Sequence, residues 1–441
     1  MILKPTAAIT LLTVLFFAGS AQAETPKPLP NPDQPTKTPK VVEPGSGAII
    51  SANSICPALR RYAGMGNSTP GLRVKNLGSG KTVCSLHSTR DRALASNNKI
   101  FTTSTALAKL GEDHRFLTSV YADGKVDRNG VLKGSLYLKG DGDPSLGTAP
   151  FNRAYLAGEG TDIEKIAREV KASGITRVSG RLFGDDSVFD QVRGVADSGY
   201  ATSPYIGPLS GLAFNAGYTS SSFSRFSSNP AKLATRTLVR ELRQRGIRIR
   251  KDIAMRKTPA PARKNLVSQV RSEDLVWMAR LTNLLSNNFY AETLLKDIGA
   301  EILGSGTTRS GAKVVQRYAK SLGSGINSVD GSGLTHSNES TAADVVAMLT
   351  RVREKSYGDA FIDSLPLAGV DGTLEDRMGG TAAAGNCHAK TGTLTGVSAL
   401  SGYCFNSSGR KFAFSILMNG VNDLSRAHLG QDRIAALIAR L

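Results

Sequence analysis

The chain has 441 residues, 40% of them hydrophobic, and a formal net charge of +19. That length and apolar content exclude a disordered tail and leave room for two or three domains around a sizeable core. The charge suits an anionic setting; an envelope polymer fits better than nucleic acid, for which no recognisable binding motif is present.

The N-terminus reads as a secretory signal over 1–23. Lys4 gives the positive start, Ala7 to Ala18 the apolar run, and Ala21-Gln22-Ala23 a small-residue cleavage site. The run is short for a bilayer, and no later segment is long, apolar and uncharged, so no transmembrane anchor is expected after cleavage. Residues 24–47, rich in Pro, Lys and Thr, read as an extended linker. The chain is therefore expected to be secreted, in a periplasmic or cell-wall-associated setting. Export makes Cys56, Cys84, Cys387 and Cys404 readable as two disulfides. Three pairings are open in principle, and proximity along the chain favours Cys56–Cys84 with Cys387–Cys404.

Folded sequence begins near residue 48 with a short helical pattern, Ile55 to Ala63. Two strand-like runs, Leu72 to Leu77 and Lys81 to Leu86, flank Gly78-Ser79-Gly80 as a hairpin. Next comes Ser96-Asn97-Asn98-Lys99 at the head of a helix whose apolar residues Ile100, Leu107 and Leu110 recur at helical spacing before Gly111. Positions three apart share a helix face, so Ser96 and Lys99 project together. A serine hydroxyl needs a neighbouring base, and a lysine serves when burial or nearby positive charge lowers its pKa.

From about residue 118 the texture changes. Val131 to Leu138 looks like strand, Thr161-Asp162-Ile163-Glu164 like a capping box, and Asn229-Pro230 like the start of a helix carrying Leu233, Leu238 and Leu242. We read 118–270 as an inserted unit, mostly β, that divides a catalytic domain into 48–117 and 271–441. The second part holds a helix ending near Leu285, then Ser286-Asn287-Asn288 and a helix from Phe289. Later come Asp330-Gly331-Ser332-Gly333-Leu334, a helix over Ala342 to Val352, and Lys390-Thr391-Gly392-Thr393 opening a strand. Strand Val397 to Phe405 turns back along Phe412 to Met418, and an amphipathic helix closes the chain.

Three elements thus stand in one order: S-x-x-K at Ser96, S-x-N at Ser286 and K-T-G at Lys390. S-x-x-K recurs at Ser310 and Ser408, and S-x-N at Ser51, Ser96 and Ser227, so neither carries weight alone. K-T-G occurs once, where a strand begins. The set resembles the low-molecular-mass penicillin-binding proteins, the serine D-Ala-D-Ala carboxypeptidases and endopeptidases with a large insertion. Here 187 positions separate Lys99 from Ser286. Further similarity lies in Gly142-Asp143-Pro144-Ser145-Leu146, Asp185-Asp186-Ser187-Val188-Phe189 and Asp330 to Leu334. It covers nearly everything after residue 65. The insertion is shorter than in the longest members, and Leu94 stands where Pro is common.

The resemblance implies an α/β catalytic domain of transpeptidase type, an antiparallel sheet flanked by helices. It implies that Ser96 attacks the carbonyl of the penultimate D-Ala while Lys99 takes its proton. Ser286 would pass a proton to the departing amine, and Asn288 would bond the substrate amide and hold Lys99. Lys390 and Thr391 would bind the terminal carboxylate, Gly392 would let the strand approach the substrate, and the N–H groups of Ser96 and Thr393 would form the oxyanion hole. Asp185 would face the free amino group of the peptide's diamino acid. Peptidoglycan peptides are the implied substrates and β-lactams the implied inhibitors, with no cofactor.

Two other readings compete. A β-lactamase would need a glutamate to activate the deacylating water, and no E-x-x-x-N follows Ser286 at a suitable distance; Glu292 lies too close. A non-catalytic wall-binding protein would not need the intact trio. A Ser-His-Asp esterase lacks G-x-S-x-G, and the five histidines form no H-E-x-x-H, so no metal is expected. His336 and His388 lie near the motifs.

Overall fold

A computed structural model describes residues 52–406 and 408–441. The expected signal peptide and the 24–47 linker lie outside the described residues. A five-stranded, wholly antiparallel sheet organises the catalytic part. Its strands run in the order Cys387–Leu394, Val397–Phe405, Lys411–Asn419, Thr69–Asn76, Thr82–Leu86, so the first and last thirds of the chain meet at its centre. Side chains alternate across it, as a pleated strand requires. Leu400, Phe414 and Ile416 pack with Ile55 and Leu59 of the first helix and Ile434 and Ile438 of the last, Leu424–Ile438. Ala399, Tyr403 and Leu417 point the other way, onto Val345, Val346 and Leu349 of helix Ala342–Val352. Both expected disulfides form: Cys56–Cys84 ties the first helix to the sheet, and Cys387–Cys404 joins directly opposed residues of two strands.

Helix Asn98–Leu110 runs through the middle of the larger core, buried along nearly its whole length. Full burial of Ile100, Phe101 and Leu107 is worth about 1.5–3 kcal/mol each. Four polar residues between them are buried too, and three bond within the helix itself: Thr103 to the Lys99 carbonyl, Ser104 and Thr105 to that of Phe101. The helix can therefore be buried on all sides without leaving these hydroxyls unpaired.

The inserted stretch is mixed, not mostly β as the sequence reading has it. Its five-stranded sheet, in the order Ala254–Met255, Leu182–Asp185, Leu136–Lys139, Leu117–Ala122, Leu266–Arg271, combines parallel and antiparallel pairs. Helices Ile163–Ala172 and Pro230–Gln244 share its core, with Ile166, Val170, Leu238 and Leu242 beside Val120, Leu138 and Leu182. Short strands separated by helical crossovers give parallel pairing, which period-two patterns alone do not reveal. The expected capping box does not close either. Thr161 donates to Asp143, and Glu164 accepts from the N–H of Ala149 at the start of the preceding helix. Nor is the stretch self-contained: Phe151, Tyr155, Val195 and Leu209 pack in the same core as the Ser96 helix. No described helix is long and apolar enough to cross a membrane.

Candidate active site

Ser96 sits on a single turn of 3-10 helix, Ala95–Asn97, that feeds directly into helix Asn98–Leu110. Ala95 before it has φ 47°, a left-handed conformation that costs an alanine about 1 kcal/mol or more and persists only where the surroundings impose it. Two segments do so. Gly333, itself at φ +86°, packs so tightly on the Ala95 carbonyl that a Cβ there would lie 1.9 Å from it. Gly392 of the K-T-G strand approaches from the other side, where a Cβ would lie 2.8 Å from the Leu94 carbonyl. The Asn97 side chain then donates to the Lys390 carbonyl at 3.0 Å, tying the strand to the nucleophile's turn. Gly392 therefore allows a close approach to the Ser96 turn, beside the approach to substrate that the resemblance implies.

Lys99 is fully buried, and its Nζ lies 2.9 Å from Ser96 Oγ, 2.7 Å from Asn288 Oδ1 and 2.7 Å from the Ser332 carbonyl. All three partners are neutral. Burial therefore dominates and brings the lysine down to about 7, although the carboxyls of Glu292 and Asp330 pull the other way. An amine with that pKa is free base for much of the time near neutrality and can accept the serine's proton. Lys390 is equally buried; burial first and the charge of Lys99 second hold its ammonium well below the ordinary lysine value. The two amines thus sit within electrostatic reach of each other.

Asn288 begins helix Asn288–Leu303, which Asn287 caps by accepting from the N–H of Tyr290. The inserted stretch holds both asparagines: Asn287 donates to the Tyr155 hydroxyl, and Asn288 donates to the Tyr205 carbonyl while accepting from Lys99. Ser286, two residues earlier, lies in the left-handed region like Ala95, at φ 54°. Thr391 bonds Thr373 hydroxyl to hydroxyl at 2.7 Å, and Thr393 is exposed at the same strand. His336 is exposed and bridges to the Thr395 carbonyl at the strand's end. The half-buried His388 lies two residues before Lys390, its ring kept below the usual histidine value by burial.

The sequence reading gave Asp330 and Glu292 no catalytic place, yet they shape the back of the site. Carbonyls of Asp330, Gly331 and Ser332 accept in turn from Asn98, Thr102 and Lys99 along the nucleophile helix. The Asp330 carboxylate holds that loop from within, accepting from the N–H groups of Gly333 and Thr335 and from Asn338. Glu292 accepts from the N–H groups of Gly331 and Ser332. Burial raises Glu292 to about 8, helped by Asp330 and opposed by those N–H groups. Burial likewise raises Asp330 to about 6. The Asp330-Gly331-Ser332-Gly333 run was visible as a resemblance, but nothing in spacing links it to Glu292 or Lys99.

Asp185 is held by backbone donors. Its two oxygens accept from the N–H groups of Ser187 and Thr258, and only 1% of the residue is exposed. Burial pushes the carboxyl up, but those hydrogen bonds outweigh it and hold Asp185 below the usual aspartate value. These bonds fasten the turn after its strand. Its neighbour Asp186 pairs with Arg193 at 2.8 Å and accepts from Ser210. Among the described residues no group of three or more His, Cys, Asp or Glu is arranged to hold a metal.

The chain is similar to known proteins in sequence and in fold. The family model described as D-Ala-D-Ala carboxypeptidase 3 (S13) matches residues 58–228 and 217–441. A D-alanyl-D-alanine carboxypeptidase of an Actinomadura species is 32% identical over 425 residues, covering 78% of this chain and 76% of the relative. Among solved structures, penicillin binding protein 4 of Haemophilus influenzae superposes with TM-score 0.70 at 21% identity, covering 87% of this chain and 98% of that one. The same protein complexed with a β-lactam gives TM-score 0.69 at 20% identity, with coverage of 86% and 97%.

Proposed function

The chain belongs to the D-Ala-D-Ala carboxypeptidase 3 (S13) family of peptidases, and from that membership we propose that it cleaves D-Ala-D-Ala ends of peptidoglycan stem peptides through an acyl-enzyme on Ser96. One contact carries the assignment of the nucleophile: Lys99 Nζ, buried and brought down to about 7, lies 2.9 Å from Ser96 Oγ. The hydroxyl attacks the carbonyl of the penultimate D-Ala as Lys99 takes its proton. Ser286 passes a proton to the amine of the departing D-Ala, and water then releases the acyl group. Lys390 and Thr391 bind the terminal carboxylate, which marks a free end of the peptide. The N–H groups of Ser96 and Thr393 receive the developing oxyanion, an interaction whose loss typically costs about a hundredfold or more in rate. The close packing of Gly392 on the Ser96 turn supports this pairing, because it brings the two donors' segments into contact.

β-Lactams acylate the same serine and leave slowly. Glu292, the one glutamate beside the S-x-N motif, is fully buried with its oxygens held by the Gly331 and Ser332 N–H groups, so it does not activate a deacylating water. The two disulfides suit an oxidising compartment outside the cytoplasm. Defined muropeptides digested with the wild type and with Ser96→Ala, read by mass spectrometry alongside fluorescent penicillin labelling, test this reading. The wild type releases D-Ala and is labelled; Ser96→Ala does neither. Cleavage of cross-linked dimers in the same digest would mark endopeptidase activity by the same chemistry, whereas rapid penicillin turnover would make the protein a β-lactamase.

A further inference from the structure

The positive charge is concentrated far along the inserted stretch. Residues 232–264 hold twelve Lys and Arg against only Glu241 and Asp252, which is +10 of the chain's +19. Eleven of the twelve are exposed. The other, Arg245, pairs with Glu241 at 2.7 Å, so the buried glutamate is already neutralised from within. Helix Pro230–Gln244 explains the arrangement: Ala231, Ala234, Leu238 and Leu242 face the core, which leaves the basic residues between them on the outer side.

Two shallow grooves lie within this surface. Arg236, Arg240 and Lys251 border one of about 340 Å³, and Arg256, Lys257 and Arg263 border another of about 470 Å³. The edge strand Ala254–Met255 joins them in sequence. Seven of the eleven exposed cations are arginines, whose planar two-pronged donors match pairs of phosphate oxygens. Among the described residues no large apolar side chain is exposed within 232–264. An element that seats itself in a lipid surface pairs its cations with such side chains; this one offers charge alone.

We propose that the 232–264 surface docks an anionic phosphodiester polymer of the cell envelope, holding the enzyme at the wall while the Ser96 cleft works on nearby stem peptides. Only the location of the polymer rests on the peptidoglycan reading. The contact is electrostatic, made by many exposed cations each worth little alone, so binding weakens steeply with added salt as counterions cease to be released.

The test is binding of a fluorescent glycerol-phosphate oligomer to the full chain, with no turnover in the readout, so a failed peptidase assay and a failed binding assay are told apart. The variant carries Arg236→Gln, Arg240→Gln, Lys251→Gln, Lys257→Gln and Arg263→Gln together. The expected result is salt-sensitive binding by the wild type and affinity lower by about tenfold or more in the variant, with unchanged hydrolysis of a small soluble D-Ala-D-Ala peptide. Equal binding by variant and wild type would overturn the proposal. So would equal affinity for a poly-glutamate of matched charge, or tighter binding to phosphatidylglycerol vesicles than to the oligomer.

Discussion

Two lysines of this protein are buried to the same extent and are held by different partners. Lys296, on the Asn288 helix, gives its Nζ to Asp190 at 2.6 Å and to the Val192 carbonyl at 2.7 Å. Lys99, one helix away, touches a hydroxyl, an amide oxygen and a carbonyl, with no carboxylate in contact. Burial lowers both, but at Lys296 the adjoining Asp190 works against it and keeps an ion pair. Lys296 is therefore a clamp between the inserted stretch and the catalytic helices, and Lys99 is a base. What the contrast teaches is that burial alone does not make a catalytic amine. The partner set decides the role: Lys99 has only neutral groups in contact, whereas Lys296, also lowered by burial, is held in an ion pair by Asp190.

Exchange of the two lysines for methionine breaks the comparison most sharply. Lys99→Met is expected to slow acylation by fluorescent penicillin by about 10²–10⁴-fold, the usual contribution of a positioned base. Lys296→Met is expected to leave labelling of the folded protein nearly unchanged and to lower its denaturation midpoint. The loss should be about 2 kcal/mol, under the range for a fully enclosed pair, because the Asp190 side chain is 29% exposed. Equal losses of labelling in the two variants would abolish the distinction.

The next effect is in pH. The reaction needs Lys99 without its extra proton, so the acylation rate rises with pH through about 7 and then levels. Burial holds the Glu292 carboxyl up at about 8, so it is largely protonated where that limb rises. Glu292→Gln keeps an acceptor for the Gly331 and Ser332 N–H groups and should leave the limb nearly in place. A limb moved to lower pH would show a charged Glu292 acting on Lys99. Stopped-flow labelling across pH 5 to 9 measures both.

Asp297, the residue after the clamp lysine, gives the smallest effect. It is buried with Oδ2 unpartnered among the described residues, and burial, with Asp141, Glu301 and Asp143 nearby, raises its carboxyl well above the usual aspartate value. Such a group contributes stability below its unfolded pKa, and that contribution is lost as pH rises toward the folded one. Asp297→Asn should therefore raise the unfolding midpoint at pH 7 more than at pH 4, a difference read by urea titration at the two values.

Much of this was legible along the chain. The Ser96 turn and helix, the hairpin before it, the Asn229-Pro230 helix start and both cysteine pairs follow from spacing within a few dozen residues. The misread parts have in common that their partners lie elsewhere. Thr161 and Glu164 look like a capping box until Asp143 and Ala149 take their hydrogen bonds. Nothing local to Asp185 announces that Thr258, 73 positions on, donates to it. The inserted stretch looks mostly β because its helices pack onto strands too short to announce parallel pairing.

The sequence by itself determined the reagents: a serine with a lysine three residues on, a serine–asparagine pair, and a K-T-G strand, in an order that identifies the family. Only the tertiary structure decided their state. Lys99 and Ser332 meet across 233 positions, and Lys99 and Asn288 across 189. A pKa depends on how much water those meetings exclude and on which neighbours stay neutral, and neither quantity is written in any local stretch of residues.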